Sequence, residues 1–276
     1  MTPEDALVHR IIDNFSAQAK YLRLARTAVG MKAVGVQLDD YSCGVAYRFG
    51  SGVTQDDSAR ISICPVRTPE GRGGLDSLPG RQADEILDYL LSENSLQRSI
   101  GLAVANCLAS RSLSLKLSDS IEMNALKTVD GDVLSAIELD SDTRVAMIGY
   151  FEPLVPKLRD RCRLEIYELD TSRAPGLHES TEAFEGLLQC EVALITSTTI
   201  INGTIDKLLE ASRNCREVVM LGPSTPLAPE VFKGTPVTLL SGVVILDENE
   251  AFKVISEGGS MRQLLPFARK INIRLI

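Results

Sequence analysis

The fold is decided by EVALITSTTIINGT, residues 191–204, and by VVMLGPSTP, residues 218–226. Each stretch begins with an apolar run typical of a buried strand and continues into hydroxyl, glycine or proline residues that precede a helical pattern. In an open parallel α/β sheet, ligands bind outside the carboxyl ends of the strands, where backbone N–H groups at helix starts are free. The two stretches therefore predict both a parallel α/β fold and the place of its binding site.

The same alternation of strands and helices extends from residue 143 to the C-terminus and predicts a Rossmann-like parallel sheet. Strands are expected at 145–149, 164–168, 192–196, 218–221, 237–240 and 271–276. Helices are expected at 153–160, 180–188, 204–212, 226–232 and 247–257. Because the strands are almost continuously apolar, the sheet should be buried on both faces.

The first half of the chain has a different rhythm and predicts a smaller α+β domain. The expected elements are a helix to about residue 24, strands at 31–38, 43–49 and 59–64, a loop at 65–80, and helices at 81–91 and 95–109. A polar, acidic stretch at 118–142 separates the two patterns. We therefore predict an α+β domain at 1–118 and a Rossmann-like α/β domain at 119–276.

Composition excludes several classes of partner. The 276 residues include 37 acidic and 29 basic side chains, and no Lys/Arg run exceeds two residues, so we expect no nucleic-acid partner. No apolar stretch approaches the roughly 20 residues of a membrane span, and the acidic N-terminus does not resemble a signal peptide. We expect a cytoplasmic protein without a membrane partner, and homo-oligomer formation is left open.

Few residues could bind a metal directly. The chain has six cysteines without a C-x-x-C pair and only two histidines, so neither a disulfide framework nor a three-histidine site is indicated. Most of the cysteines are expected to be small buried hydrophobes. The cofactor is left unidentified, a divalent metal being the option considered, with Glu152 and His178 as its candidate ligands.

The first turn of the Rossmann-like half, GYFEPL at 149–154, does not match the dinucleotide fingerprint. Phe151 and Leu154 occupy the positions of its second and third glycines, so NAD and NADP are not expected. Glu152 at the helix start disfavours a phosphate and favours an amine or a metal ion. Asp170, about 20 residues further on, is either a ribose contact or a turn residue at a strand end.

Hydroxyl side chains are unusually dense after the third predicted strand. Six polar side chains fall within nine positions at 196–204, which is more than one helix cap requires. Thr225 before Pro226 is explained as a cap, whereas Gly222 and Ser224 are not. The candidate ligand-binding residues are Gly149, Tyr150, Phe151, Glu152, Asp170, Ser197, Thr198, Thr199, Asn202, Thr204, Gly222, Pro223, Ser224, Thr225 and Gly242.

These motifs resemble, in order, those of a bacterial and archaeal family described as "putative heavy-metal chelation". The motifs concerned are GYFEPL at 149–154, TTIINGT at 198–204, LGPSTPL at 221–227 and SGV at 241–243. LPG at 78–80 and SIGLAVAN at 99–106 are similar to the preceding domain of that family, which implies a fold like the N-terminal domain of enolase. The resemblance implies a cleft completed by the N-terminal domain and a role in chelating or processing heavy metals.

Three functions follow as alternatives. The leading one is a protein that binds and processes a small molecule of metal-chelator or cofactor metabolism in a cleft between the domains. The second is a non-catalytic binder of a metal or metal chelate, with Glu152, Asp170, His178 and Cys190 as ligands. The third is a nucleotide- or S-adenosylmethionine-dependent transferase with Asp170 on a ribose. Whether the protein is an enzyme is left open.

Overall fold

A computed structural model describes residues 5–48, 66–68, 71–73, 78–118, 127–129 and 131–275. The strands are β1 Leu24–Val29, β2 Ala33–Leu38, β3 Cys43–Tyr47, β4 Val66–Thr68, β5 Gly71–Gly73, β6 Thr128–Val129, β7 Arg144–Ile148, β8 Arg163–Glu168, β9 His178–Glu179, β10 Val192–Thr196, β11 Glu217–Leu221, β12 Leu239–Ile245 and β13 Ala268–Arg274. The helices are α1 Ala6–Ala19, α2 Ala83–Leu87, α3 Ser95–Ser118, α4 Val155–Arg159, α5 Ala183–Gln189, α6 Thr198–Ile201, α7 Ile205–Ala211, α8 Pro229–Phe232, α9 Glu248–Ser256 and α10 Met261–Leu264. Short 3₁₀ helices lie at Asp88–Leu91, Val133–Ser135, Thr171–Arg173, Ser180–Glu182 and Leu265–Phe267.

The large sheet has the strand order β6-β13-β12-β11-β10-β7-β8-β9 and is parallel from β12 to β9. Alternate residues of β10 enter different apolar clusters. Ala193 and Ile195 pack in one cluster, and Val192 and Leu194 pack in another. Because successive side chains of a strand point to opposite faces, the sheet is covered on both sides. This mostly parallel α/β sheet, preceded by a smaller α+β part, confirms the predicted fold class.

The strand order reverses at β7. The chain passes from β7 to β8 on one side and then returns to β10 on the other side of β7. The connections after β7 and β10 therefore diverge and leave a crevice at the carboxyl ends of these two strands. This switch point is where a ligand of a doubly wound sheet is expected to bind.

The last predicted strand is present, but it runs antiparallel to its neighbour and so differs from a continuous parallel sheet. Ile245 pairs with Ala268, and the ladder continues to Leu239 and Arg274. The reason is the placement of α9, which packs on the small sheet rather than crossing over the large one. An added Cβ at Gly35 would lie 2.8 Å from Cδ1 of Ile255 in α9. The chain therefore returns to the end at which β12 stopped.

The small sheet is antiparallel, in the order β1-β2-β3. Helix α3 lies very close to it, because a Cβ on Gly44 would be 2.2 Å from the Ala103 carbonyl oxygen. The predicted hairpin is confirmed as β2 and β3. The first helix ends earlier than predicted, at Ala19, since residues 24–29 pair with β2. The β4–β5 ladder lies in the stretch predicted as loop, and the predicted strand at 59–64 lies outside the described residues.

The two halves of the chain share one apolar core. A single cluster contains Leu7 and Ile100 from the first half together with Ile200 and Leu208 from the second half. The predicted boundary after residue 118 adjoins residues 119–126, which are outside the described part, and it stays a prediction. Among the helices of the described segments, none combines the length and apolar character that crossing a membrane requires.

Candidate functional site

The turn after β7 lies directly against the end of β10. Gly149 has a φ of +91°, and its N–H donates a hydrogen bond of 2.8 Å to the Tyr167 carbonyl oxygen. A Cβ at this position would lie 2.9 Å from Cγ2 of Thr196. Only glycine accommodates both the left-handed backbone and this approach. Gly149 thus brings the first strand end of the switch point into contact with the second.

A third strand end reaches the same place. Gly222 follows β11 with a φ of +115°, and an added Cβ there would lie 3.7 Å from Cε1 of Phe151. The turns after β7 and β11 therefore meet in front of β10. We call this region the switch crevice, defined by residues 149–152, 196–198 and 222–225. The structure brings together residues that the sequence places in three separate motifs.

Several of the predicted hydroxyl residues are buried and hydrogen-bonded within the protein. The hydroxyls of Ser197 and Thr225 lie 2.6 Å apart, and these residues are only 1% and 2% exposed. Thr199 donates to the Thr196 carbonyl oxygen at 2.6 Å. The first contact holds the turns after β10 and β11 against each other, and the second lies within the turn after β10. The half-buried Thr198, whose hydroxyl lies 3.0 Å from that of Thr196, is better placed to meet a ligand.

Asn202 and Thr204 form a local turn. Oδ1 of Asn202 accepts hydrogen bonds from the backbone N–H and the hydroxyl of Thr204, at 3.1 and 2.7 Å. This is the Asx-turn geometry that asparagine adopts for local reasons. The turn faces the N-terminal half, because Nη2 of Arg98 donates to the Ile200 carbonyl oxygen at 3.0 Å and pairs with Asp5 at 2.7 Å.

The remaining predicted residues of the β11 loop connect the two halves of the molecule. Oγ of the buried Ser224 accepts a hydrogen bond of 2.7 Å from the backbone N–H of Tyr47. Tyr47 is the last residue of β3, an edge strand of the small sheet. The turn after β11 packs directly on Gly242 of β12. An added Cβ at Gly242 would lie 3.0 Å from the Thr225 carbonyl oxygen. Pro223 is half-buried between these contacts.

Asn106 is a buried polar residue that was not predicted as part of the site. Its Nδ2 donates to the Val45 carbonyl oxygen at 2.7 Å, on the strand that also contributes the Tyr47 N–H. Its Oδ1 has no hydrogen-bond partner among the described residues. A buried acceptor without a partner costs about 1–3 kcal/mol, so it calls for an explanation. The sequence signal was a single amide within the otherwise apolar run IGLAVANC at 100–107.

A second unpredicted group surrounds Tyr150. Oε2 of Glu168 accepts hydrogen bonds from the Tyr150 N–H at 2.7 Å and from Nη1 of Arg173 at 2.8 Å. The Arg173 guanidinium lies 5.3 Å from the centre of the Tyr150 ring, a cation–π contact. Asp170 instead accepts from the N–H and hydroxyl of Ser172, and these hydrogen bonds lower the pKa of Asp170. It caps the short helix at Thr171–Arg173.

The two predicted metal ligands lie in different surroundings. Glu152 is exposed in the turn after β7, whereas His178 is on the edge strand β9, with Nδ1 3.6 Å from Oε2 of Glu182. The His178 ring lies 5.3 Å from that of Tyr167. Within the described residues, no group of three or more His, Cys, Asp or Glu side chains is arranged to hold a metal ion. The assignment of Glu152 and His178 as ligands stays a prediction.

The donor atoms of the switch crevice are hydroxyl, carboxylate and backbone groups. Such hard donors do not match the thiolate and imidazole ligands that soft heavy-metal ions prefer. The thiols of Cys43, Cys107 and Cys162 are buried in the apolar interior, and burial raises the pKa of Cys43 to about 12. The donor groups of the crevice therefore do not match the preferences of a bare soft metal ion.

Two family models match this chain. The DUF364 model matches residues 132–274 and the DUF4213 model matches residues 12–109, and both families are described as "putative heavy-metal chelation". An uncharacterized protein of Methanocaldococcus jannaschii is 24% identical over 178 residues, which cover 62% of this chain and 63% of that protein. The chain thus aligns with less than two thirds of the length of this relative.

Solved structures of DUF364 proteins of unknown function have the same fold. One from Pyrococcus horikoshii has a TM-score of 0.77 at 22% identity, with 98% of this chain and 100% of that chain covered. Another, from Desulfitobacterium hafniense DCB-2, has a TM-score of 0.74 at 21% identity, with coverage of 96% and 98%. Since the DUF364 match extends over more than half of the chain, this protein belongs to the DUF364 family, described as "putative heavy-metal chelation".

Proposed function

We propose that this protein binds a small organic metal chelator, or the metal complex of such a chelator, in the switch crevice. The observation that carries the proposal is the meeting of three strand ends, with Gly149 against Thr196 and Gly222 against Phe151. Ligands of doubly wound sheets bind at such a point. In this proposal most of the metal ligands come from the chelator rather than from the protein.

The accessible groups of the crevice suit such a molecule. Tyr150 and Phe151 provide half-buried aromatic surface, Thr198 a hydroxyl, and Glu152 an exposed carboxylate. A mostly apolar surface with a few polar groups is typical of small-molecule sites. The carboxylate favours a ligand with a cationic group or a bound metal ion.

The N-terminal domain contributes to the same site in this proposal. Ser224 on the β11 turn holds the backbone of Tyr47, and the unpartnered Oδ1 of Asn106 lies beside the same strand of the small sheet. This oxygen is closed to solvent, so a ligand N–H or O–H group reaches it only when the contacts around Asn106 open, and then removes the cost of leaving it unpaired. The cleft between the domains would then select ligands that carry a hydrogen-bond donor.

The decisive experiment compares free metal ions with preformed complexes by isothermal titration calorimetry. Zn²⁺, Co²⁺ and Ni²⁺ are titrated alone, as citrate complexes and as histidine complexes. We expect at least one complex to bind more tightly than its free ion and its free chelator. Glu152→Gln should weaken that binding, whereas Glu210→Gln, exposed in the last turn of α7 before the amino end of β11, should leave it unchanged.

Two results would contradict the proposal. One is equal affinity of wild type and Glu152→Gln for every complex that binds. The other is tight binding of a free ion that neither Glu152→Gln nor Asn106→Ala affects. Mass spectrometry of any small molecule that copurifies with the protein then identifies the natural chelator class.

Chemical conversion of the bound molecule is a further part of the proposal, and a change in its mass on incubation with the protein would test it. The nucleotide alternative has weaker support. Asp170 is the N-cap of the short helix at Thr171–Arg173, and Phe151 occupies a glycine position of the dinucleotide fingerprint. The proposed setting is the cytoplasm, without a nucleic-acid or membrane partner. Light scattering after size-exclusion chromatography would determine whether the protein forms a homo-oligomer.

A further inference from the structure

Two cysteines that are distant in the sequence meet at the amino end of the large sheet. The sulfur atoms of Cys190 and Cys215 lie 3.3 Å apart. The cause is strand register, because Val192 pairs with Glu217 and each cysteine lies two residues before its partner in that pair. The Arg216 N–H donates to the Glu191 carbonyl oxygen at 2.9 Å, so the pairing continues between the two cysteines. Adjacent strands are about 4.8 Å apart, a separation that a disulfide can bridge.

This pair differs from the other described cysteines. Cys43, Cys107 and Cys162 are buried, and burial raises the pKa of each of these thiols. Cys190 and Cys215 are only partly buried, so a small reagent in solution can reach them. Contact between the two sulfurs lowers the pKa of Cys215 and raises that of Cys190, because one S–H donates to the other sulfur. Such a pair loses its first proton more easily than its second.

We propose that Cys190 and Cys215 form an oxidisable dithiol that reacts with low-molecular-weight disulfides to give a reversible intramolecular disulfide. The Cys215 thiolate attacks one sulfur of the small disulfide, whose S–S bond breaks and releases one thiolate. Cys190 then loses its proton to water, and its thiolate attacks Sγ of Cys215 and releases the second small thiolate. Two protein thiols are oxidised, and one small disulfide is reduced to two thiols.

The crosslink would close the segment 190–215. This segment contains β10, α6 and α7, and with them Ser197, Thr198, Thr199, Asn202 and Thr204 of the predicted site. The sulfur pair itself lies roughly 20 Å from the switch crevice, at the other end of β10. Oxidation would therefore link the two ends of this segment and constrain it in the unfolded chain, without blocking the crevice. The midpoint of thermal unfolding would rise by roughly 5 °C.

The test uses the full chain in buffers of reduced and oxidised glutathione, quenched with acid, alkylated and mapped by peptide mass spectrometry. We expect the peptides of Cys190 and Cys215 to become linked with a loss of about 2 Da, and dithiothreitol to reverse the link. Cys43, Cys107 and Cys162 should stay free for alkylation after denaturation. In Cys190→Ser, Cys215 should instead retain a glutathione adduct, because no second thiol releases it.

A matched control is Cys162→Ser, which removes a buried thiol and should leave formation of the link unchanged. Full alkylation of Cys190 and Cys215 in oxidising buffer, at the level found in reducing buffer, would overturn the proposal. So would a crosslink of either residue to Cys64 in place of each other. The wild-type peptide map alone decides between these outcomes, even if a serine variant does not fold.

Discussion

The two ends of the large sheet are held together by different kinds of residue. At the carboxyl end, neighbouring strand ends meet through glycines and hydroxyls, as Gly149 meets Thr196 and Ser197 meets Thr225. At the amino end, the strands are held by an ion pair between Glu217 and Arg274 and by the paired thiols. The comparison indicates that turns from separate strands meet at the carboxyl end, where we propose the ligand site, whereas the amino end mainly joins strands.

The largest expected effect is at the amino end. Glu217 is 9% exposed and accepts hydrogen bonds from both Arg274 and Thr238. Glu217→Ala leaves the Arg274 guanidinium without its carboxylate in a partly buried site, and should lower the free energy of unfolding by about 3 kcal/mol. Urea denaturation measures the change. Glu250→Ala, which breaks the exposed pair with Lys253, is the control and should cost less than about 1 kcal/mol.

A glycine substitution at the carboxyl end should have the next largest effect. Gly149→Ala forces a left-handed backbone on alanine and places its Cβ 2.9 Å from Thr196, so we expect a loss of about 2 kcal/mol in unfolding free energy. Gly176→Ala is the matched control, because Gly176 has a φ of +76° but no atom within 4 Å of an added Cβ. It should lose only about 1 kcal/mol. Equal losses in the two variants would mean that the contact with Thr196 costs nothing.

Substitution of the neighbouring residues Ser197 and Thr198 should distinguish a structural hydroxyl from one that binds the ligand. Ser197→Ala leaves the buried Thr225 hydroxyl without its 2.6 Å partner, and should cost about 1 kcal/mol in stability. Thr198→Ala, at a half-buried residue, should change stability by less than about 0.5 kcal/mol and weaken binding of the copurifying molecule. Thermal unfolding and calorimetric titration of both variants measure the two effects. The division of roles is wrong if Ser197→Ala alone affects binding.

The smallest effect is expected at a turn before β7. Asp140 accepts hydrogen bonds from the hydroxyl and N–H of Thr143 and from the N–H of Asp142, and these hydrogen bonds lower the pKa of Asp140. Its stabilisation is present above the unfolded-state pKa of about 3.9 and is lost as the pH falls through the lower folded-state pKa. Carboxyl NMR titration should find this shift. In Thr143→Val the pKa of Asp140 should return towards its ordinary value.

Local sequence patterns predicted the elements around β10 and β11 well. Val192–Thr196 was predicted within its observed bounds, and the hydroxyls that follow it do lie at the carboxyl end of the sheet. These features depend on hydrophobic periodicity and on turn residues within a few positions, so they are readable from the sequence. The failure of GYFEPL to match a dinucleotide turn was readable for the same reason.

Other features depended on residues far apart in the chain. Helix α9 packs on the small sheet, which reverses β13, and Asn106 meets Val45 across 61 positions. A local pattern cannot distinguish a helix that crosses over one sheet from a helix that packs on another.

The sequence by itself determined a parallel α/β sheet, a preceding α+β unit and the end of the sheet at which polar residues collect. Only the tertiary structure decided which hydroxyls are buried against each other and that Cys190 meets Cys215. Whether a segment forms a helix or a strand follows from the spacing of its own side chains, a few positions apart. Strand register and domain packing bring together atoms from segments that the linear sequence does not relate, because they are set by burial of the shared core.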